Sequence, residues 1–255
     1  MGTFRLLQFN MQYGQVWDPS KPDAAPTRLE DTVRTLSLYD ADVIMLQEVE
    51  QVQSGGKQIQ PPPNYQYLKE ALPGYQSVFA YPPEDERELP FGFGLAIFSR
   101  YPILECKPTT LPGAPIMFEF EGEKTSPTDR VLLTADIDFN GRVIHFMNTH
   151  LQAYFMVNAS SDDYPQQREI VLDQAKSFEG PVVLSGDFNS APNEQLVASY
   201  ESAGLHTMQK DSVTWKRMPY VLDHIFFNNH LVLKGGTVDE VLSSDHHLLV
   251  ADFEI

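Results

Sequence analysis

The sequence predicts an α/β fold in which strands and helices share mixed sheets. Apolar runs of the length typical of buried strands recur along the 255 residues, and a few stretches with helical spacing lie between them. Asn140-Gly141 separates two alternating runs, which is a strong signal of a β-hairpin. Because this hairpin stands among other strands and helices, the order favours mixed sheets over regular βαβ winding.

The first hundred residues contain three predicted strands and two predicted helices. The strands cover 4–10, 42–48 and 92–100; one helix follows the capping-box pattern Thr27-Arg28-Leu29-Glu30 and the other occupies 65–72. Stretches rich in Gly, Pro and Gln or in acidic residues predict loops at 51–63 and 80–90. Gly92 and Gly94 do not form a dinucleotide-binding fingerprint, because no third glycine and no helix follow.

The remaining residues predict five further strands, two further helices and a long loop. The strands cover 131–139, 142–150, 181–184, 222–227 and 248–255, the helices 165–178 and 193–203, and the loop 105–129. No repeat, low-complexity tract or linker divides the chain. We therefore expect a single domain over residues 1–255.

The charge balance is strongly acidic, with 18 Lys and Arg against 35 Asp and Glu and a net charge of −17. A field of this sign repels polyanions, so bulk non-specific nucleic-acid binding is not expected, although a bound metal could still support phosphate chemistry. The single cysteine, Cys106, and the lack of a basic-then-apolar leader predict a cytoplasmic protein, with a secreted protein as the alternative. No apolar stretch is long enough to span a bilayer, and the oligomeric state stays open.

The stretch at 184–192 carries the strongest local indication of a catalytic site. The strand predicted at 181–184 runs into it, and Gly, Ser and Pro residues then break the strand. Because side chains alternate along an extended chain, Asp187 and Asn189 would share one face, opposite Phe188. A carboxylate beside an amide could hold and deprotonate a water, whereas the alternative is an ordinary polar turn.

Polar groups that carry chemistry recur at the ends of the apolar strands. One such end has little weight, because any strand must end in a polar residue. Six ends rich in Asp, Glu, Asn and His favour a site assembled at one edge of a sheet. These ends are Asn10, Glu48, Asn148-Thr149-His150, Asp187 with Asn189, Asp223-His224 and Asp245-His246.

Seven short motifs combine these polar ends with characteristic neighbours. They are Gln8-Phe9-Asn10, Leu46-Gln47-Glu48, Ser99-Arg100-Tyr101-Pro102-Ile103, Asn148-Thr149-His150-Leu151, Gly186-Asp187-Phe188-Asn189, Leu222-Asp223-His224-Ile225 and Ser244-Asp245-His246. As a set they resemble the endonuclease/exonuclease/phosphatase superfamily, which includes deoxyribonuclease I, apurinic endonucleases, neutral sphingomyelinases and inositol-polyphosphate 5-phosphatases. The resemblance implies a four-layer αββα sandwich, with two mostly antiparallel mixed sheets packed together and the site at one end.

The resemblance also implies a set of residues that activate water and stabilise phosphate. Asp187 is similar to the base that aligns and deprotonates the attacking water, with Asn189 orienting that water or holding a phosphoryl oxygen. Asp223 and His246 resemble a carboxylate–histidine pair, in which the carboxylate keeps the imidazole charged against the phosphate. His150 resembles a second histidine at the phosphate, which favours the branch of deoxyribonuclease I and the neutral sphingomyelinases.

A hard divalent cation is implied by the same resemblance, Mg²⁺ with Mn²⁺ as a substitute. Glu48 resembles the family's metal ligand, and Asn10 belongs to the same expected metal set as an amide that positions the ligand. Asp245 resembles a further acidic ligand at the metal. Carboxylates with water and substrate oxygens are the environment that Mg²⁺ prefers.

Three further residues are expected near a phosphate-ester substrate. Asn148 shares a face with His150 by alternation. Arg168 could clamp a phosphate, although an arginine in this position is more often packed or salt-bridged. Tyr154 lies in an aromatic loop at 151–165, which could contact an apolar or aromatic leaving group or could only pack down on the protein.

Together these residues predict a metal-dependent phosphoesterase, in the first place a phosphodiesterase that uses in-line attack of an Asp-activated water. A DNA or RNA nuclease and a phosphomonoesterase stay open as alternatives. A non-catalytic binding protein on the same fold is less favoured, because no metal or base residue is lost. His224 and His247 are expected to be structural, because alternation turns them to the opposite side.

Overall fold

Two six-stranded sheets packed face to face form the centre of the computed structural model, which describes residues 2–255. The first half of the chain contributes β1 (Thr3–Asn10), α1 (Leu29–Ser37), β2 (Val43–Gln47), β3 (Glu50–Gln51), α2 (Pro63–Ala71), β4 (Gln76–Ala80), β5 (Gly92–Phe93), β6 (Leu95–Ser99), β7 (Ile103–Leu111), β8 (Phe118–Phe120) and β9 (Glu123–Thr125). The second half contributes β10 (Arg130–Phe139), β11 (Arg142–His150), α3 (Gln166–Lys176), β12 (Val182–Asp187), α4 (Leu196–Ser202), β13 (Leu205–Thr207), β14 (Asp223–Asn228), β15 (Val232–Asp239) and β16 (Leu248–Glu254).

The two sheets are mixed but mostly antiparallel. The first has the order β15-β16-β1-β2-β6-β4 and the second the order β13-β14-β12-β11-β10-β7. Each contains one parallel pair, β1 with β2 and β11 with β12, and its other pairs are antiparallel. Two short ribbons, β3 with β5 and β8 with β9, lie outside the main sheets.

The central strand β2 begins as an unbroken apolar run because both of its faces are covered. In β2 all five residues are buried. Val43 and Met45 enter the core between the sheets, whereas Ile44 and Leu46 pack with Leu36 and Leu68 of the helices α1 and α2. Residues that alternate in this way need to be apolar at every position, which is the pattern the sequence shows.

The helices form the two outer layers of the molecule. The helices α1 and α2 cover the outer face of the first sheet. On the other side, Val171 and Ala175 of α3 and Leu196 and Tyr200 of α4 pack on the second sheet. The result is a four-layer αββα sandwich, which confirms the fold class predicted from the sequence.

The prediction of a loop over 105–129 is wrong. The nine-residue strand β7 pairs antiparallel with β10, and β8 and β9 form a small hairpin. The strand was hidden because β7 lies at the edge of its sheet, where most of its side chains are exposed and Pro108 is tolerated. The edge strands β4, β13 and β15 also have exposed positions and were missed for the same reason.

The helix α1 begins where the sequence indicates, but not through the predicted capping box. Arg28 occupies the N-cap position and makes no side-chain capping hydrogen bond. Glu30 and Asp31 lie in the first turn, where acidic side chains interact favourably with the helix dipole. In residues 2–255 no helix is both long and apolar enough to cross a membrane.

Candidate active site

The strand ends meet at one end of the sandwich because of the two parallel pairs. In the first sheet Asn10 lies in register with Gln47, and in the second His150 lies in register with Asp187. The strand β14 runs antiparallel to β12, so its first residue, Asp223, lies opposite Asp187. Similarly, β16 runs antiparallel to β1, which brings the residues just before β16 to the same end.

Asp187 lies at the centre of the polar cluster. Its Oδ2 is 3.0 Å from Asn10 Nδ2, 3.6 Å from His150 Nε2 and 3.7 Å from His246 Nε2. Its Oδ1 accepts a hydrogen bond of 3.0 Å from the backbone N–H of Asn189. Because Oδ1 is held in this way, Oδ2 is the oxygen directed at both imidazoles.

Asn189 reaches the site through a turn and not by strand alternation. The strand β12 ends at Asp187, and Asn189 has a φ of 48° in the left-handed region, which asparagine tolerates better than most residues. Its side-chain amide donates to the Leu151 carbonyl at 3.0 Å. The structure thus corrects the predicted shared face, because Asn189 ties down Asp187 and the adjoining loop.

Asp223 and His246 form a fully buried ion pair. Asp223 Oδ2 is 2.7 Å from His246 Nδ1, and the two side chains are 0% and 5% exposed. Burial by itself lowers the pKa of His246, but the Asp223 carboxylate outweighs it and raises the pKa to about 10. The imidazole is therefore charged at neutral pH, with Nε2 directed towards Asp187.

Backbone contacts hold this pair in place from both sides. Thr214 Oγ1 accepts the backbone N–H of Asp223 at 3.0 Å. Ser244 Oγ accepts the backbone N–H of His246 at 3.1 Å and donates to the Asn10 carbonyl at 2.7 Å. These contacts connect the loop before β16 to the end of β1.

Glu48 and Asn10 form the other side of the cluster. Asn10 Nδ2 lies between two carboxylates, 2.9 Å from Glu48 Oε1 and 3.0 Å from Asp187 Oδ2. Asn10 Oδ1 accepts the backbone N–H of Gln12 at 3.2 Å. The Asn10 nitrogen thus bridges the two carboxylates, as a ligand-positioning amide would, and its place in the metal set stays a prediction.

The environment on this side disfavours the charged form of both carboxylates. Burial and then the Asp245 charge raise the pKa of Glu48 to about 7. Burial and then the Asp223 charge raise the pKa of Asp187 well above its ordinary value. Burial also lowers the pKa of His150 well below its ordinary value, so this imidazole is neutral and supplies no compensating charge.

The donor chemistry of this side fits a divalent cation. Glu48, His150 and Asp187 each direct one ligand atom to a common space, with all three atoms within 4.8 Å of one another. Carboxylate oxygens suit hard divalent ions, and a cation would relieve the repulsion that raises both carboxylate pKa values. Asp187, Asp223 and His246 form a second group of this size, but there the imidazolium already pairs with Asp223 at 2.7 Å.

Comparison with known proteins identifies the family of the chain. The model of the endonuclease/exonuclease/phosphatase family matches residues 7–246, which run from β1 to His246. The chain belongs to the endonuclease/exonuclease/phosphatase family. Members of this family are hydrolases that act on phosphoester bonds.

Solved structures with the same fold cover nearly all of the chain. An endonuclease/exonuclease/phosphatase family protein from Bacteroides vulgatus is 19% identical, with a TM-score of 0.73 over 100% of both chains. The human Nocturnin catalytic domain with bound sulfate is 21% identical, with a TM-score of 0.65 over 99% of this chain and 94% of that one. A mannosyl-6-phosphatase from Bacteroides thetaiotaomicron is 18% identical, with a TM-score of 0.66 over 99% and 100%.

Similar curated sequences match only part of the chain. A UPF0294 protein of Vibrio campbellii is 28% identical over 121 residues, which are 46% of this chain and 42% of that protein. A UPF0294 protein of Vibrio cholerae is 32% identical over 100 residues, 37% of this chain and 35% of that protein. These matches thus span less than half the length of the curated relatives.

Asp245 lies beside the polar cluster and is held by Arg217 and Trp215, which belong to neither of the two candidate ligand groups. Its Oδ2 lies 2.5 Å from Arg217 Nε and accepts a hydrogen bond of 3.3 Å from Trp215 Nε1. Its Oδ1 lies 4.0 Å from His246 Nε2. The Asp245 charge still contributes to the raised pKa of Glu48, so its role as a metal ligand stays a prediction.

Asn148 does not reach the substrate side, which corrects its predicted role. The side chain is wholly buried between the sheets. Its Nδ2 donates to the carbonyls of Leu46 and Ala96, at 2.9 and 3.0 Å, and its Oδ1 accepts from Gln47 Nε2 at 2.7 Å. Asn148 shares a face with His150, as expected, but lies two residues deeper in the sandwich.

Arg168 is also corrected by the structure. Its Nη1 lies 2.6 Å from Asp162 Oδ1, and only 11% of the side chain is exposed. Asp162 accepts the backbone N–H of Gln195 as well, so the pair ties the loop after β11 to α4. This is the salt-bridged alternative to a phosphate clamp.

The structure also corrects the role predicted for Tyr154, the last of the three expected substrate-binding residues. Its side chain is 3% exposed and packs on Tyr164 at a centroid distance of 5.6 Å. The next residue, Phe155, has its ring 5.8 Å from that of Trp215, which in turn lies 6.4 Å from the His246 ring. The sequence indicated the aromatic loop correctly but not which of its residues faces the site. Trp215 was missed, since nothing near it in the sequence marks a strand end.

Proposed function

We propose that the protein is a divalent-metal-dependent phosphodiesterase that uses Asp187 to activate the attacking water. The observation that carries the proposal is the position of Asp187 Oδ2 between the Nε2 atoms of His150 and His246, at 3.6 and 3.7 Å. A carboxylate whose pKa is raised by burial is suited to accept a proton near neutral pH. Glu48 would hold the cation beside Asp187, and the cation would supply charge stabilisation at the phosphoryl oxygens when bound.

The remaining roles in the reaction are assigned to individual side chains of the site. Asp187 Oδ2 accepts the proton of the attacking water, while Asn189 holds Oδ1. His246, charged because of Asp223, donates from Nε2 to a phosphoryl oxygen as negative charge develops there. His150 is neutral and offers a hydrogen bond without adding charge.

Charge pairing around the site favours a diester over a monoester or a polyanion. The arginines of the surrounding elements are each matched by a carboxylate: Arg130 by Glu88, Arg168 by Asp162 and Arg217 by Asp245. A phosphodiester carries one negative charge, whereas monoesters and nucleic acids bring more and require unpaired cations. The net charge of −17 acts in the same direction.

The surface next to His246 favours an apolar group on the phosphate. Phe155 contacts Tyr220 and Trp215 edge-on, at ring distances of 5.4 and 5.8 Å. Met156 and Met218, on the same two loops, are 56% and 41% exposed. An aromatic or otherwise apolar substituent would find contact area there.

The test compares hydrolysis of bis(4-nitrophenyl) phosphate with that of 4-nitrophenyl phosphate, each with Mg²⁺ and with EDTA. We expect cleavage of the diester that requires the metal and falls about 10²–10⁴-fold in Asp187→Ala. Asp173→Ala, at an exposed aspartate of α3, is the matched control and should keep full activity. Cleavage of the monoester alone would replace the proposal with a phosphomonoesterase, and full activity in Asp187→Ala would overturn the assigned base.

A further inference from the structure

Gln8 lies beneath the Asp223–His246 pair and contacts the carboxylate directly. Its Nε2 donates to Asp223 Oδ1 at 2.9 Å and to Gln47 Oε1 at 2.7 Å. Asp223 thus has one oxygen on Gln8 and the other, Oδ2, on His246 Nδ1 at 2.7 Å. Gln8, Gln47 and Asp223 are all 0% exposed.

The contact is the end of a chain of amides that crosses between the two sheets. Gln47 Nε2 donates to Asn148 Oδ1 at 2.7 Å, and Asn148 Nδ2 donates to two backbone carbonyls. Gln8 and Gln47 belong to the first sheet, and Asn148 and Asp223 to the second. Since carbonyl oxygens can only accept, they fix the direction of every hydrogen bond in the chain.

This direction determines which atom Gln8 presents to Asp223. The Asn148 oxygen must accept from Gln47, so the Gln47 oxygen must accept from Gln8. Gln8 therefore directs its N–H groups at both Gln47 and Asp223, and the opposite orientation would place its oxygen against two acceptors. Gln8 Oε1 is left buried without a hydrogen-bonding partner among residues 2–255.

An apolar side chain cannot replace the donor that Gln8 supplies. It would leave Asp223 Oδ1 and Gln47 Oε1 without this hydrogen bond, and buried acceptors without partners destabilise the folded protein. Gln8 therefore provides a side-chain donor at the carboxylate oxygen that does not contact His246. A carboxylate anchored at one oxygen keeps the other aligned with the imidazole.

We propose that Gln8 is a positioning residue that acts through Asp223 on His246. Its N–H group holds the carboxylate in the rotation that directs Oδ2 at His246 Nδ1, and thereby directs His246 Nε2 at the phosphate. The effect on turnover rests on the proposed function, whereas the effect on the His246 hydrogen bond does not.

The first test is kinetic and uses Gln8→Met, which keeps the length of the side chain and removes the donor. We expect kcat to fall about 10-fold with KM changed less than about twofold, as is typical when a supporting hydrogen bond is lost. Gln167→Met is the matched control, because Gln167 is also a buried amide hydrogen-bonded to backbone groups but lies on α3. It should lose a similar amount of thermal stability and keep its kcat.

A double-mutant cycle tests whether Gln8 acts through Asp223. In an Asp223→Asn background, Gln8→Met should lower kcat less than about twofold, because the carboxylate it positions is gone. Losses that multiply in the double variant would show that Gln8 acts elsewhere and would overturn the proposal. Should Gln8→Met not fold, Gln47→Met interrupts the same chain one residue earlier and should lower kcat severalfold.

A spectroscopic measurement separates this proposal from the proposed function. In NMR spectra of the protein without substrate, the His246 Nδ1 proton should be protected from exchange, and Gln8→Met should speed its exchange about 10-fold or more. Gln167→Met should not change it. A proton that exchanges at the same rate in Gln8→Met and in the unsubstituted protein would overturn the proposal even if the enzyme cleaves diesters, whereas faster exchange in a protein without diesterase activity would support Gln8 and refute only the reaction.

Discussion

The site consists of two halves that both contain buried carboxylates but differ in how the carboxylate charge is compensated. The paired half contains Asp223 and His246, which neutralise each other at 2.7 Å in full burial. The acidic half contains Glu48 and Asp187, which share the Asn10 amide; among residues 2–255 neither carboxylate forms a salt bridge with a Lys or Arg. His246 Nε2 lies 3.7 Å from Asp187 Oδ2, but the imidazole forms its ion pair with Asp223 through Nδ1.

The difference shows which charges the fold satisfies by itself. Burial would lower the pKa of His246, yet Asp223 raises it to about 10, because the paired half is electrostatically complete. In the acidic half burial and neighbouring carboxylates raise the pKa of Glu48 to about 7, so the folded protein holds negative charge at a cost. The fold therefore completes the charge pairing of one half and leaves the carboxylates of the other half in an unfavourable charged state, which under the proposed function a cation would relieve.

The paired half should be the more sensitive to loss of its partner. His246→Gln leaves Asp223 buried with Gln8 as its remaining side-chain partner, and we expect the free energy of unfolding to fall by about 3–5 kcal/mol at pH 7. Because the folded-state pKa of His246 is raised, its stabilisation is present below pH 6.5 and is lost as pH rises through about 10. Urea denaturation from pH 6 to 10 measures both effects; His230→Gln, at an exposed histidine, is the control. A stability of His246→Gln equal to that of the control would contradict the pairing.

A buried histidine outside the two halves should respond to pH in the opposite direction. Burial lowers the pKa of His224, which lies against Phe188 and Phe226, to about 4. The unfolded chain therefore binds a proton below pH 6.5 that the folded protein does not, which costs about 3 kcal/mol by pH 4. The loss of stability between pH 6.5 and 4 should be smaller by this amount in His224→Leu and unchanged in His230→Gln. An identical acid dependence in all three proteins would contradict the low pKa.

The acidic half should be stabilised by metal. If Mg²⁺ binds the folded protein at this half, a concentration 100 times Kd raises the free energy of unfolding by about 2.7 kcal/mol. Thermal unfolding with Mg²⁺ and with EDTA should show this shift, and Glu48→Gln should abolish it. Glu50→Gln removes a buried carboxylate that binds the Tyr65 N–H instead, and it should keep the shift. A shift that survives in Glu48→Gln would place the metal elsewhere.

A smaller effect should follow from crowding the acidic half. An added Cβ at Gly92 would lie 2.2 Å from Glu48 Oε2, so Gly92→Ala must displace this carboxylate. We expect a loss of about 1–3 kcal/mol in unfolding free energy and a weaker Mg²⁺-induced shift. Gly74→Ala is the control, because nothing lies within 4 Å of its added Cβ. Equal Mg²⁺ responses in the two variants would show that the position of Glu48 does not matter for the metal.

Much of this arrangement could be predicted because it depends on short, continuous stretches of the sequence. The strands β1, β2, β11 and β12 are rich in apolar residues, and the polar residue at the end of each is visible without knowledge of the fold. The edge strand β7 was missed because its exposed side chains resemble those of a loop. Burial on both faces, more than strand propensity, made a strand recognisable.

The contacts that complete the site could not be predicted in the same way. Gln8 meets partners that are 39 and 215 residues away along the chain, and only the packing of the two sheets brings them together. Tyr154 and Phe155 are adjacent and both aromatic, yet the turn after β11 buries one and presents the other to Trp215. Such choices depend on loop conformation and on sheet packing, which leave no periodic signal in the sequence.

The most direct test of the contrast between the two halves compares Asp187→Asn with Asp223→Asn by urea denaturation at pH 7 with EDTA. Asp187 has a pKa raised by burial, so its charge costs stability, and Asp187→Asn should raise the free energy of unfolding. Asp223→Asn removes the carboxylate that pairs with the buried imidazole and should lower the free energy of unfolding. Opposite signs would support the division of the site into a complete half and a half that needs a cation. A loss of stability in both variants would contradict it.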